Sequence, residues 1–231
     1  MAANERDALN IGSYVGQGWS YAKIRNLKSA EASFIKALAL GADDNDILAD
    51  SYAGLAGVLL AQRLYEAAIT NVGFALFYEP DFELKEDPTI NIDDLHLVNA
   101  EAYFSLETFY KSVEYIGKIS PEYLDSNTNI VSHVETLSPT ISSSTNTTGN
   151  ATLTTSNRKL VLVSSLKNVN IPTANISILD VPNGGNKIEI FSNPIPRETD
   201  QYEVQYYYAE DYGVYIAELT KKLEEVKNDL N

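Results

Sequence analysis

The sequence predicts an α+β, multidomain chain. An N-terminal α-solenoid of three helical hairpins comes first, then a small β-rich region, then a terminal amphipathic helix. Three observations carry this expectation. A pattern of side-chain sizes recurs three times between residues 11 and 124. Composition then changes: 21 of the 32 residues from 126 to 157 are Ser, Thr or Asn, and period-two alternation sets in from Lys159. Finally, apolar residues step by 3 and 4 between 209 and 230, which is a helical seam. The boundaries expected from these changes are 1–124, 125–208 and 209–231.

The recurring pattern is one of sizes. Tyr14, Gln17, Gly18, Tyr21, Ala30, Phe34 and Ala37 are spaced 3, 1, 3, 9, 4 and 3. Tyr52, Leu55, Ala56, Leu59, Ala68, Val72 and Ala75 repeat those steps, with Pro80 where a helix must stop. His96, Asn99, Ala100, Tyr103, Ser112, Ile116 and Ile119 repeat them again. Small residues fall where two helices of a hairpin would cross closely. Large ones fall where they would plug the neighbouring hairpin.

This pattern resembles the tetratricopeptide repeat, a helix–turn–helix unit of 34 residues. The resemblance covers about half of the chain. It departs from the family in its spacing, 38 and then 44 residues, which makes Asp43–Asp46 and roughly Glu83–Asn91 loop insertions. The Trp-Leu-Gly start is also degenerate. The resemblance implies a protein–protein interaction scaffold whose concave face is lined by the first helix of each hairpin. Here that face would carry Val15, Trp19, Leu60, Leu97, Glu101 and Phe104. It lacks the Lys/Asn/Arg set with which some family members clamp a C-terminal carboxylate, so an amphipathic helix suits the groove better.

Taken in order, residues 1–10 read as a short frayed lead-in. The first hairpin is expected over Ile11–Leu27 and Lys28–Leu40. Gly41 stands where a left-handed C-cap is wanted, and Asp43-Asp44-Asn45-Asp46 can cap the next helix. The second hairpin runs from about Ile47 to Tyr78. Asp81–Asn91 is acidic, contains Pro88 and reads as an exposed loop. Ile92–Leu106 and Thr108–Ile119 form the third hairpin, with a short helix able to resume over Pro121–Leu124. Ser142–Asn150 reads as a linker. Leu160–Val163, Asn175–Val181, Lys187–Phe191 and Tyr202–Tyr208 are candidate strands, and Ile130–Leu137 and Ala151–Thr155 further ones. Pro182-Asn183-Gly184-Gly185-Asn186 is a hairpin turn signal.

The chemistry of catalysis and ligation is sparse. The chain has no cysteine, two histidines and a net charge of −15. No basic cluster is available to displace counterions from phosphates, so nucleic acid and anionic lipid are not expected partners. No signal peptide and no transmembrane segment are expected, which favours the cytoplasm or a particle. His96 falls at a packing position and His133 in Ser/Thr-rich sequence. No Gly-x-Ser-x-Gly turn or phosphate-cradling loop occurs. Asp43–Asp46 offers oxygen ligands but lacks calcium-loop spacing, and helix capping explains it better. Asn146, Asn150 and Asn175 stand in Asn-x-Ser/Thr sequons, frequent by chance in such sequence. No catalytic residue, metal or cofactor is expected.

The first function expected is a non-enzymatic interaction scaffold or adaptor working through the apolar groove. The alternative is a structural subunit of a large assembly such as a virion, tail or surface layer. A carboxylate-based hydrolase is a third reading. The terminal helix, with Tyr212, Ile216, Leu219, Leu223, Val226 and Leu230 as its seam and Ala209 leading into it, has three roles open: cap of the repeats, filler of their groove, or dimer seam. Six tyrosines lie within residues 202–215. Tyr206 and Tyr208 on the last strand are candidate contact residues, or core.

Overall fold

The computed structural model describes residues 3–127, 129–141, 149–157, 159–181 and 183–230. The Ser142–Asn150 stretch lies outside these apart from its last two residues, and so does the Asn146 sequon. Eight helices and six strands are described. They fall into two compact units, Met1–Leu106 with Glu225–Asn231, and Glu107–Glu224. The first boundary therefore comes at the turn after residue 106, not at the composition change near 124.

The first unit holds α1 (Ala3–Lys23), α2 (Leu27–Leu40), α3 (Asn45–Ala61), α4 (Tyr65–Tyr78) and α5 (Ile92–Ser105). Consecutive helices pack on one another, and α3 also packs on α1 and α5. That makes α1, α3 and α5 one layer and α2 and α4 another. The expected lead-in is helical from Ala3 onward. Gly41 is left-handed (φ 69°), and its N–H bonds the Leu38 carbonyl. Asp44 caps α3 by accepting from the Asp46 N–H at 3.0 Å.

The hairpin turns explain why the size pattern keeps its phase. Arg25, Arg63 and Glu107 each adopt a left-handed conformation, with φ of 58°, 65° and 57°. These positions are separated by the same 38 and 44 residues as the repeats. At the first two turns the Schellman pair of hydrogen bonds is present: Arg25 N to Ala22 O and Asn26 N to Tyr21 O, then Arg63 N to Leu60 O and Leu64 N to Leu59 O, all 2.9 Å. A non-glycine residue in this region costs about 1–2 kcal/mol. Arg63→Gly is therefore expected to stabilise the helical unit by about 1 kcal/mol, after the entropy that glycine returns to the unfolded chain. Urea denaturation followed by tryptophan emission checks this, and an unchanged or lower midpoint would contradict it.

Phe34 is the wedge of this unit. It is fully buried, and its ring packs edge-to-face on Trp19 at 5.7 Å. Gly18 on α1 and Gly54 on α3 make room for it. A Cβ on Gly18 would lie 2.5 Å from Phe34 Cε1, and one on Gly54 would be closer still. Ala30, Ala56, Ala68 and Ala75 are all at 0% exposure, as close helix crossings require. A second cluster, with Ala53, Val72 and Leu95, takes in Phe82 and Leu84. Those last two belong to the segment expected to be an exposed loop. The segment instead folds back on itself: Glu83 bridges Asn91, and Leu84 N bonds the Ile90 carbonyl at 2.9 Å. Its apolar residues drive it inward despite its charge.

The second unit holds α6 (Phe109–Ile119), α7 (Tyr123–Ser126), six strands and most of α8 (Tyr212–Leu230). The third pair of helices is thus present with the expected turn, but its second member packs on a strand of this unit, β3. Asn183 helps hold it there. The Asn183 side chain accepts from the Phe109 N–H at the start of α6 and donates to the Glu107 carbonyl, filling a bond that a helix N-terminus leaves open.

Strands β1 (Ile130–Leu137), β6 (Tyr202–Ala209) and β3 (Leu160–Asn168) form one antiparallel sheet in that order. Strands β2 (Asn150–Thr154), β5 (Lys187–Asn193) and β4 (Asn175–Asp180) form the other. Tyr202, Val204 and Tyr206 alternate inward from β6 and are fully buried. They share a core with Leu153, Leu160, Ile188, Ile190 and Tyr110 of α6. Tyr206 donates its hydroxyl hydrogen to Glu135 Oε1 at 2.7 Å and accepts from Asn157 Nδ2 at 3.0 Å. Ala209 closes β6 and does not begin the terminal helix. The helix starts at Tyr212, capped by Asp211, whose Oδ1 accepts from Gly213 N and Val214 N at 2.9 and 3.1 Å.

Candidate functional site: the groove of the helical unit

The layer of α1, α3 and α5 forms a groove with two cavities. The first, of about 450 Å³, is lined by Gly12, Val15, Gly16, Trp19, Ser20 and Lys23 of α1, Ile47 and Asp50 of α3, and Leu84, Glu86 and Asp87 of the folded-back segment. The second, of about 490 Å³, is lined by Trp19, Ala53, Gly57, Leu60, Leu97, Glu101 and others, with Lys227 and Leu230 from the end of α8. Trp19 belongs to both. Gly12, Gly16 and Gly57 leave these walls open, because a Cβ at any of them would meet nothing within 4 Å.

Of the residues expected on the concave face, Val15 and Trp19 line the first cavity, and Trp19, Leu60, Leu97 and Glu101 the second. Phe104 lines neither cavity. Val15 and Leu97 are themselves buried, so their contribution is to the floor. The last turn of α8 is a groove element. Lys227 Nζ donates to Glu101 Oε1 at 2.7 Å, and Leu230 lines the cavity with Trp19 and Leu60.

The other expected contact residues are placed differently. Tyr206, Leu219, Leu223 and Val226 are buried in the chain itself. They offer no surface to a second copy, because the strand core and the buried face of α8 already use them. Tyr208, Tyr212, Ile216 and Leu230 are half-buried. The buried face of α8 runs through Tyr215, Leu219, Leu223 and Val226, and Tyr215 was not among the expected seam residues.

The charge in the first cavity is not visible from the size pattern. Asp50 is only 7% exposed, on the apolar face of α3. No hydrogen-bond donor reaches its carboxylate among the described residues. Burial pushes its pKa up to about 7; the carboxylates of Glu86, Glu79 and Asp46 add to the rise and Lys85 opposes it. Asp87, at the mouth, goes the other way. Its carboxyl is held below the usual range by the Thr89 hydroxyl and by Lys23, whose Nζ lies 3.0 Å away. Lys85 pairs with Asp46, which raises the lysine further. Glu79 is raised chiefly by burial, then by Asp46. The signal that points to Asp50 is an acid inside α3, between Ile47-Leu48-Ala49 and the Ala, Gly, Leu and Val run that begins at Ala53.

No three His, Asp or Glu side chains converge as metal ligands among the described residues. No described helix is long and apolar enough to cross a membrane.

No protein-family model matches the chain, and no curated protein matches it. Among solved structures it is similar to the Hsp90 co-chaperone Cns1 from Saccharomyces cerevisiae (delta69), at 19% identity and a TM-score of 0.43. The likeness covers 52% of this chain and 36% of that one. A likeness of that size assigns no residue and no partner.

Proposed function

We propose that this chain is a non-enzymatic protein-interaction adaptor that holds a partner segment in the groove of its helical unit. The observation that supports this reading most is the groove itself. Trp19 and Leu60 stay half-buried along a continuous wall of α1 and α3, beside glycines that leave the wall open. A stability-optimised helix would carry alanine at Gly16 and Gly57, worth about 1 kcal/mol each. The resemblance to tetratricopeptide repeats gives the same kind of role, a fold-level analogy only. The last turn of α8 takes up part of the groove, so a partner helix has an apolar surface to share with Leu230 or to take from it.

Glutamate at Gly57 tests the reading. The substitution fills the groove with a charged chain without touching the core. Glutamate at Gly73, an exposed glycine of α4 that lines neither cavity, is the control. Partner recovery by in-cell crosslinking is expected to fall at least tenfold for Gly57→Glu and to stay unchanged for Gly73→Glu. Equal recovery with both variants would contradict a groove-based role.

A further inference from the structure

The first cavity is open, and its walls are chemically unequal. Its polar lining contains three acids, Asp50, Glu86 and Asp87, and one cation, Lys23, which is engaged by Asp87. That leaves Asp50 and Glu86 without a cationic partner inside the cavity. Asp50 is more than nine-tenths buried, lines the cavity wall and accepts no hydrogen bond among the described residues. A buried carboxylate in that position is a costly feature unless something pairs with it. The indole of Trp19 lines the same space, and of the aromatic side chains an indole attracts cations over its face most strongly. The absence of converging metal ligands among the described residues argues for an organic cation over a metal ion.

We propose that this cavity receives the ammonium or guanidinium head of a lysine or arginine side chain carried by a protein partner, with Asp50 as its carboxylate and Trp19 as its aromatic wall. The proposal rests on the groove reading above and names the chemistry of what the groove takes. Gly12 and Gly16 leave room for the aliphatic stem beside Val15 and Ile47. The net charge of −15 favours encounter with a basic partner. Binding must also depend on pH, because Asp50 has to be ionised to pair. Glu86, Glu79 and Asp46 oppose that ionisation, and Lys85 favours it. Asp87 and Lys23 also face the cavity.

The sole tryptophan, Trp19, reports occupancy directly. The full chain is titrated with n-butylammonium chloride at constant ionic strength, with 1-butanol as the neutral isostere. At pH 8 a saturable change in emission is expected with butylammonium and none with butanol. The midpoint is expected to rise about tenfold at pH 6, where an acid titrating near 7 is mostly protonated. Asp50→Asn is expected to weaken binding at least tenfold. Glu86→Gln, at an exposed position of the folded-back segment, is expected to weaken it about threefold. No saturable change at pH 8, or an equal midpoint in Asp50→Asn, would overturn the proposal. Two acetylated, amidated alanine–leucine peptides separate it from the groove reading: one carries a central lysine, the other norleucine. Preference for the lysine peptide supports both. Equal binding of the two would remove the cation site and leave the groove, whereas binding of neither would remove both.

Discussion

Phe34→Ala is expected to lower the stability of the helical unit by about 3–5 kcal/mol, the range for deleting a buried aromatic ring. Phe34 is at 0% exposure and reaches from α2 against both α1 and α3. Its loss would leave a cavity bounded by two helix backbones, which cannot close without moving whole helices. The complementary change is Gly54→Ala. The added Cβ would overlap the ring, and the ring cannot retreat because Gly18 confines it on the other side. Overpacking of this kind costs about 1–3 kcal/mol, more where neither neighbour can give. Gly54→Ala combined with Phe34→Leu is expected to be more stable than the sum of the two single changes predicts, because the smaller side chain vacates the overlap. Trp19 emission follows this unit, since its ring packs on Phe34. Simple additivity in that cycle would mean that the ring and the glycine do not meet.

Asp50→Asn is expected to stabilise the chain at pH 8 and to change little at pH 4. The unfolded carboxyl titrates near its ordinary 3.8 and the folded one at about 7. Because the folded value is the higher, folding favours the protonated form. That contribution to stability is fully present below about pH 4 and is lost as the pH rises through 7. The full span is worth about 4 kcal/mol at most. Asparagine keeps the shape and cannot ionise, so its difference from aspartate should grow across that window and then level off. Paired urea denaturation curves at several pH values isolate this group from the other carboxylates. A constant difference between the two proteins across pH 4 to 8 would contradict a buried, ionising Asp50. The same substitution is expected to weaken cation binding at least tenfold, so stability and binding should move in opposite directions at one residue.

The helices of the first unit were legible because close crossings force small residues to recur at fixed steps. The left-handed turns at Arg25, Arg63 and Glu107 keep those steps in phase. The strands were legible for a similar reason: β6 alternates Tyr202, Val204 and Tyr206 inward, and β4 and β5 meet across a Gly/Asn turn. Periodicity names a face, though, and not what covers it. Ser112 and Ile116 keep the repeat pattern, yet α6 packs on β3. Leu219, Leu223 and Val226 have the spacing of a dimer seam, yet the chain buries them itself. The composition of the 81–91 segment points outward, because its charged residues outnumber Phe82, Leu84 and Ile90. In the folded chain those three residues set its path, and that path builds one wall of the groove. Asp50 is hidden from the size pattern because that pattern registers volume and not charge; its apolar neighbours on α3 are the signal that marks it.

The most direct test of the groove is the titration of Asp50 itself. The side-chain carboxyl carbon of Asp50 is followed by NMR in the full chain, assigned through Asp50→Asn. The groove described here predicts a midpoint of about 7, falling when butylammonium fills the cavity. A midpoint near the ordinary aspartate value, unchanged by butylammonium, would mean that Asp50 is solvated and the cavity is not built as described.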